Sequence, residues 1–144
     1  MFDRFTDDAK SSMNVARKVA QRFRHDFIGP EHMLLGLLSV DGCAARLILQ
    51  KLGVDLSKFS SEFEQSLVIG PQVPVVGQFY FTPGAKKALE LSMDEAARLG
   101  DTQLDTDHFL LGLIGCEDSR AAPALLKIGV TLDAARALAI ERRG

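Results

Sequence analysis

Two dipeptides in this chain could do chemistry: Glu31-His32 and Asp107-His108 each join a carboxylate to an imidazole, 76 positions apart. Repeated acid-imidazole pairs suggest either a symmetric metal or proton-transfer site or a repeated structural hydrogen bond from the imidazole to the loop entering its helix. A metal needs several convergent ligands, and the chain has no His-Glu-x-x-His and no Cys-x-x-Cys. The hydrogen-bonding role is therefore favoured, and no metal is expected. Cys43 and Cys116 occupy corresponding loops out of register, since the copy of position 43 is Ser119. Neither cysteine has a recognisable nucleophile setting, and both read as reduced thiols. The glycines from Gly70 to Gly77 are spaced somewhat like a phosphate loop, but Gln78 stands where lysine is required. Nucleotide hydrolysis, a cofactor and catalysis in general are not expected.

The 76-residue offset extends well beyond the histidines. Phe5-Thr6 returns as Phe81-Thr82, Ala9-Lys10 as Ala85-Lys86, and Lys51-Leu52-Gly53-Val54 as Lys127-Ile128-Gly129-Val130. Glu31-His32-Met33-Leu34-Leu35-Gly36-Leu37-Leu38 returns as Asp107-His108-Phe109-Leu110-Leu111-Gly112-Leu113-Ile114. A duplication with no insertion between copies predicts two similar units about a pseudo-twofold axis, with any binding site present twice.

The elements that must carry these residues read as helices. Over 6–24, Thr6 can cap, Asp7 and Asp8 complement the positive end, and Ala9, Met13, Ala16, Ala20 and Phe23 form one apolar stripe. Further helices are expected over 30–40, opened by Pro30, over 43–52, stopped by a left-handed Gly53, and over 55–68. The second copy predicts 82–99, then 106–114 capped by Thr106, 119–128 with Pro123 near its start, and 131–142. The Leu-Leu-Gly-Leu runs are apolar on every helical face. That suits a central buried helix whose Gly36 or Gly112 admits a close neighbour, rather than an exposed peptide groove. Residues 69–80, with two prolines and two glycines, read as a linker without a strand. The expected architecture is all-α: eight helices as two pseudo-twofold-related four-helix repeats, 1–68 and 81–144.

Composition sets the remaining bounds. The chain has 144 residues, 47% of them apolar, and a net charge of −2. This is enough apolar content for a core and offers no electrostatic case for nucleic acid or an anionic membrane. No apolar run approaches the ~20 residues of a membrane helix. The N-terminus lacks the basic and apolar regions of a secretory signal, so a cytoplasmic location is expected.

The repeated blocks resemble the N-terminal domain of the Clp ATPase unfoldases, and within them the ClpC branch. The residues that carry the resemblance are Arg4-Phe5-Thr6, Gly29-Pro30-Glu31-His32 with the following Leu-Leu-Gly-Leu, Phe81-Thr82-Pro83 and Ala85-Lys86-Lys87. They also include the run from Leu89 to Ala96, Arg98-Leu99-Gly100, and the second His-x-Leu-Leu-Gly-Leu. The resemblance implies a non-catalytic domain that captures adaptor proteins and unfolded or marked substrates for a Clp ATPase ring, in cis or in trans. The alternative is a free-standing regulator or decoy that binds adaptors without an attached ring. It further implies a pocket for phosphorylated arginine in each repeat. The threonine opening the first helix would receive the phosphate, and the acid before the helical histidine would receive the guanidinium. Those residues are Thr6 with Glu31, and Thr82 with Asp107. This sequence departs from the family by placing Asp8 and Gly84 where a basic residue is usual, Pro30 for a threonine, and Asp107 for a glutamate. Asp7 and Asp8 disfavour phosphate beside Thr6, whereas the Thr82 side is only weakened.

Overall fold

The computed structural model describes residues 2–70 and 79–144. A 3-10 turn, Phe2–Arg4, leads into α1 (Asp7–Arg22), then β1 (Phe27–Ile28), α2 (Pro30–Leu38), α3 (Ala44–Lys51) and α4 (Leu56–Gln65). The second copy runs β2 (Tyr80–Phe81), α5 (Pro83–Arg98), α6 (Thr106–Gly115), α7 (Ala121–Lys127) and α8 (Leu132–Arg142). The eight expected helices are present. Most of the expected linker, including Val73, Val75 and Val76, lies outside the described residues.

Local chemistry explains the helix ends. Thr6 and Thr82 are both extended, and each hydroxyl accepts from the backbone N–H three residues on, Ala9 and Ala85, at 3.1 Å. Gly53, Gly100 and Gly129 end their helices at φ of +85°, +77° and +86°. Repeat one makes the α1 stop with Arg24, at φ +58°, where repeat two has Gly100. Thr106 is not the cap of α6. Asp105, one residue earlier, takes the extended conformation and is the N-cap, which leaves Thr106 fully buried. The Thr106 hydroxyl instead accepts from Ala45 N–H at 3.1 Å and so ties α6 to the start of α3.

The two Leu-Leu-Gly-Leu helices form the centre. Leu34, Leu37, Leu110, Leu111 and Leu113 are all 0–1% exposed. A Cβ on Gly36 would overlap the Ser12 carbonyl of α1, and one on Gly112 would overlap Ser92 and the Ala88 carbonyl of α5. The glycines therefore set how closely α1 packs on α2, and α5 on α6.

The sequence reading missed a pair of short parallel pairings. Phe27–Ile28 pairs with Tyr80–Phe81, and Phe5 forms an isolated parallel bridge with Leu104. Ile28↔Phe81 and Leu104↔Phe5 are related by the 76-residue offset with the partners exchanged. Each repeat thus hands the strand leading into its first helix to the loop leading into the other repeat's second helix. Among the described residues no helix is long and apolar enough to cross a membrane.

Candidate functional site

The exchanged bridges decide which residues meet. Leading into α1, Thr6 N–H donates to Leu104 O at 2.9 Å, and Leu104 N–H donates to Arg4 O at 2.8 Å. The Thr6 hydroxyl donates to Asp105 Oδ1 at 2.8 Å. Thr6 therefore lines a cleft of about 340 Å³ together with Asp101, Asp105, Asp107, His108 and Arg143, all from the second copy. On the other side Thr82 N–H donates to Ile28 O at 3.1 Å, beside the turn that opens α2 and carries Glu31. A Cβ on Gly84, two residues into α5, would touch the Pro30 ring at 3.3 Å. The expected grouping within one repeat, Thr6 with Glu31 and Thr82 with Asp107, is corrected by this geometry. Thr6 meets Asp107, and Thr82 stands by the turn of Glu31, because the pairing strands cross between copies.

The two junctions are unlike electrostatically. Beside Thr6, Asp7 and Asp8 are exposed in the first turn of α1, and Asp105 already accepts the Thr6 hydroxyl. Asp101, Asp105 and Asp107 line that cleft with Arg142 and Arg143, and the two acids in the first turn of α1 disfavour an anion at its N-terminus. Beside Thr82 the first turn of α5 holds Pro83 and Gly84 and no acid. That helix N-terminus keeps its attraction for negative charge.

Both histidines make the structural hydrogen bond. His32 Nδ1 accepts from Gly29 N–H at 2.9 Å, and His108 Nδ1 accepts from Asp105 N–H at 2.8 Å. With Nδ1 accepting, each proton must sit on Nε2. What that proton reaches differs between copies, and sequence reasoning passed over both partners. In repeat one His32 Nε2 lies 2.8 Å from His25 Nδ1, and His25 Nε2 lies 2.7 Å from Val68 O. His32 therefore donates to His25, and His25 to Val68 O. Burial, with the neighbouring His25 second, lowers the His32 pKa to about 4. In repeat two position 25 becomes Asp101, whose Oδ2 accepts from His108 Nε2 at 2.7 Å. The spacing of seven residues before each histidine was the available signal.

Arg143, just past α8, completes the second network. Its Nε and one terminal nitrogen lie 2.8 and 2.5 Å from Asp101 Oδ2, and the same terminal nitrogen lies 2.8 Å from Asp107 Oδ2. The hydrogen bond from Arg143, aided by His108, holds the Asp101 carboxyl below the usual range against its partial burial. Among the described residues no group of three or more potential metal ligands converges. Cys43 and Cys116 are free and buried, their thiols directed at Leu37 O and Gly84 O.

A second cleft, of about 360 Å³, is lined by Phe5, Met13, Ile28 and Phe81, with Lys10, Asn14 and Arg17 around them. It lies between the two exchanged bridges, so both copies contribute to its lining.

The family model for the Clp repeat (R) N-terminal domain matches residues 4–128. The chaperone protein ClpB of Oceanobacillus iheyensis is 40% identical over 144 residues, as is the negative regulator of genetic competence ClpC/MecB of Bacillus subtilis. Each match covers 100% of this chain and 18% of the relative, so the chain spans under a fifth of the length of these relatives. Among solved structures, the Hsp104 N-terminal domain from Candida albicans superposes with a TM-score of 0.80 at 22% identity, covering 97% of this chain and 91% of that one. The ClpV N-domain in its complex with a VipB peptide gives 0.74 at 18% identity, covering 92% and 82%.

Proposed function

The chain belongs to the Clp repeat (R) N-terminal domain family, and on that premise we propose that it is a non-catalytic docking domain that captures adaptor proteins and substrates for a Clp-type ATPase ring. The observation that carries this is the reach of the match: the whole chain aligns at 40% identity with under a fifth of each ATPase-family relative. One structural neighbour was solved with a peptide bound. The cleft of Phe5, Met13, Ile28 and Phe81 supports a similar role here, since an apolar floor edged by Lys10 and Arg17 suits an apolar segment with acidic flanks.

The finer part of the reading is recognition of phosphoarginine at the Thr82–Glu31 junction. The acid-free N-terminus of α5 suits the phosphate, and the Glu31 carboxylate suits the guanidinium. The Thr6–Asp107 junction retains the acid for the guanidinium but has lost a favourable phosphate end. In the organism that carries it, deleting this region should impair turnover of adaptor-delivered clients while ATP hydrolysis by the ring continues. Unchanged client turnover contradicts the docking role.

A further inference from the structure

We propose that Arg143 is an intramolecular competitor that fills the guanidinium position of the Thr6–Asp107 cleft, so that the two junctions of this domain are unequal by construction. The proposal rests on the reading of the Asp107 carboxylate as a guanidinium acceptor given above. Arg143 makes the contacts an incoming arginine would make. Its fork reaches Asp101 Oδ2 at 2.5 and 2.8 Å and Asp107 Oδ2 at 2.8 Å, and its other terminal nitrogen donates to Ala139 O at 2.6 Å. Its terminal nitrogen also stands 3.2 Å from His108 Nε2, where both groups are donors, so this contact adds crowding and no bond. The Asp107 side chain is 2% exposed, and the Arg143 guanidinium lies against its Oδ2 in the cleft.

Among the described residues the partner copy has no such plug. Position 67, the counterpart of Arg143, is a buried leucine, and among the described residues Glu31 makes no ion pair. A buried carboxylate left without a cation is costly, so in the unliganded domain Arg143 also stabilises Asp107. A ligand guanidinium must displace it and gains only the difference between two similar sets of bonds. If Arg143 fills the position about nine-tenths of the time, the apparent affinity falls about tenfold.

The test is amide NMR titration with ethylguanidinium of the full chain, wild type and Arg143→Gln, followed at Asp107 and His108. The variant should bind about tenfold more tightly. Arg143→Lys keeps the charge without the fork and should show a smaller gain. Equal or weaker binding in both variants, or no shift at Asp107 in any of the proteins, overturns the proposal. Phosphoarginine added to the same samples separates this from the reading beneath it. If it leaves Thr82 and Glu31 unmoved, the phosphoarginine reading fails, while the ethylguanidinium comparison still decides the role of Arg143.

Discussion

Acidification should destabilise the first repeat through one identifiable proton. His32 is fully buried, its Nδ1 accepts from Gly29 N–H, and its Nε2 proton goes to His25. A second proton could enter only at Nδ1, which would break the bond to Gly29. Its pKa is accordingly lowered, first by burial and then by His25, from 6.5 to about 4. Because the folded value is depressed, the unfolded chain binds the proton first as pH falls. The contribution is fully present above about pH 6.5 and is lost progressively toward pH 4. The depression corresponds to roughly 3 kcal/mol in all, of which about 2 kcal/mol should be gone by pH 5. Urea unfolding at 25 °C, followed by circular dichroism between pH 7.5 and 5, measures this directly. His32→Gln keeps an acceptor for Gly29 N–H but cannot titrate, and it should remove most of the slope. A wild-type stability flat to within about 0.5 kcal/mol, or a variant that keeps the full slope, would refute the reasoning.

Two further substitutions probe the frame that positions the junctions. Gly112→Ala puts a methyl into the Ala88 carbonyl and Ser92, so α5 and α6 must part, at about 2–3 kcal/mol in chemical denaturation. A loss under about 0.5 kcal/mol would mean that the helices are not in the contact described. Arg136 holds the buried Glu95 with a two-pronged pair at 3.1 and 2.6 Å, joining α8 to α5. Arg136→Ala should cost about 2–3 kcal/mol, and pairing it with Glu95→Leu should recover much of that loss. A double variant no more stable than the single one would show that the unpaired carboxylate was not the cause.

The helices were legible because their signals are local. Thr6 and Thr82 cap, Gly53, Gly100 and Gly129 stop, and the apolar faces of Leu34–Leu38 and Leu110–Ile114 must be buried wherever they lie. The Thr106 cap was misplaced by one residue because both residues can cap; aspartate is the better cap, and the Thr106 hydroxyl is taken by Ala45 N–H. The pairing of site residues was not legible for a different reason. A duplication reports that two halves are alike and is silent on whether their strands pair within a copy or across copies. Only the bridges of Phe5 with Leu104 and of Ile28 with Phe81 show the exchange. Arg143 escaped notice because its counterpart, Leu67, has no chemistry to draw attention to it.

Chemical-shift mapping with phosphoarginine on the uniformly labelled chain tests whether the recognition sites are shared between the repeats. Thr82 and Gly84 should move together with Glu31 along a common binding curve. Co-titration of Thr82 with Asp107 in place of Glu31, or no movement at millimolar ligand, would contradict it.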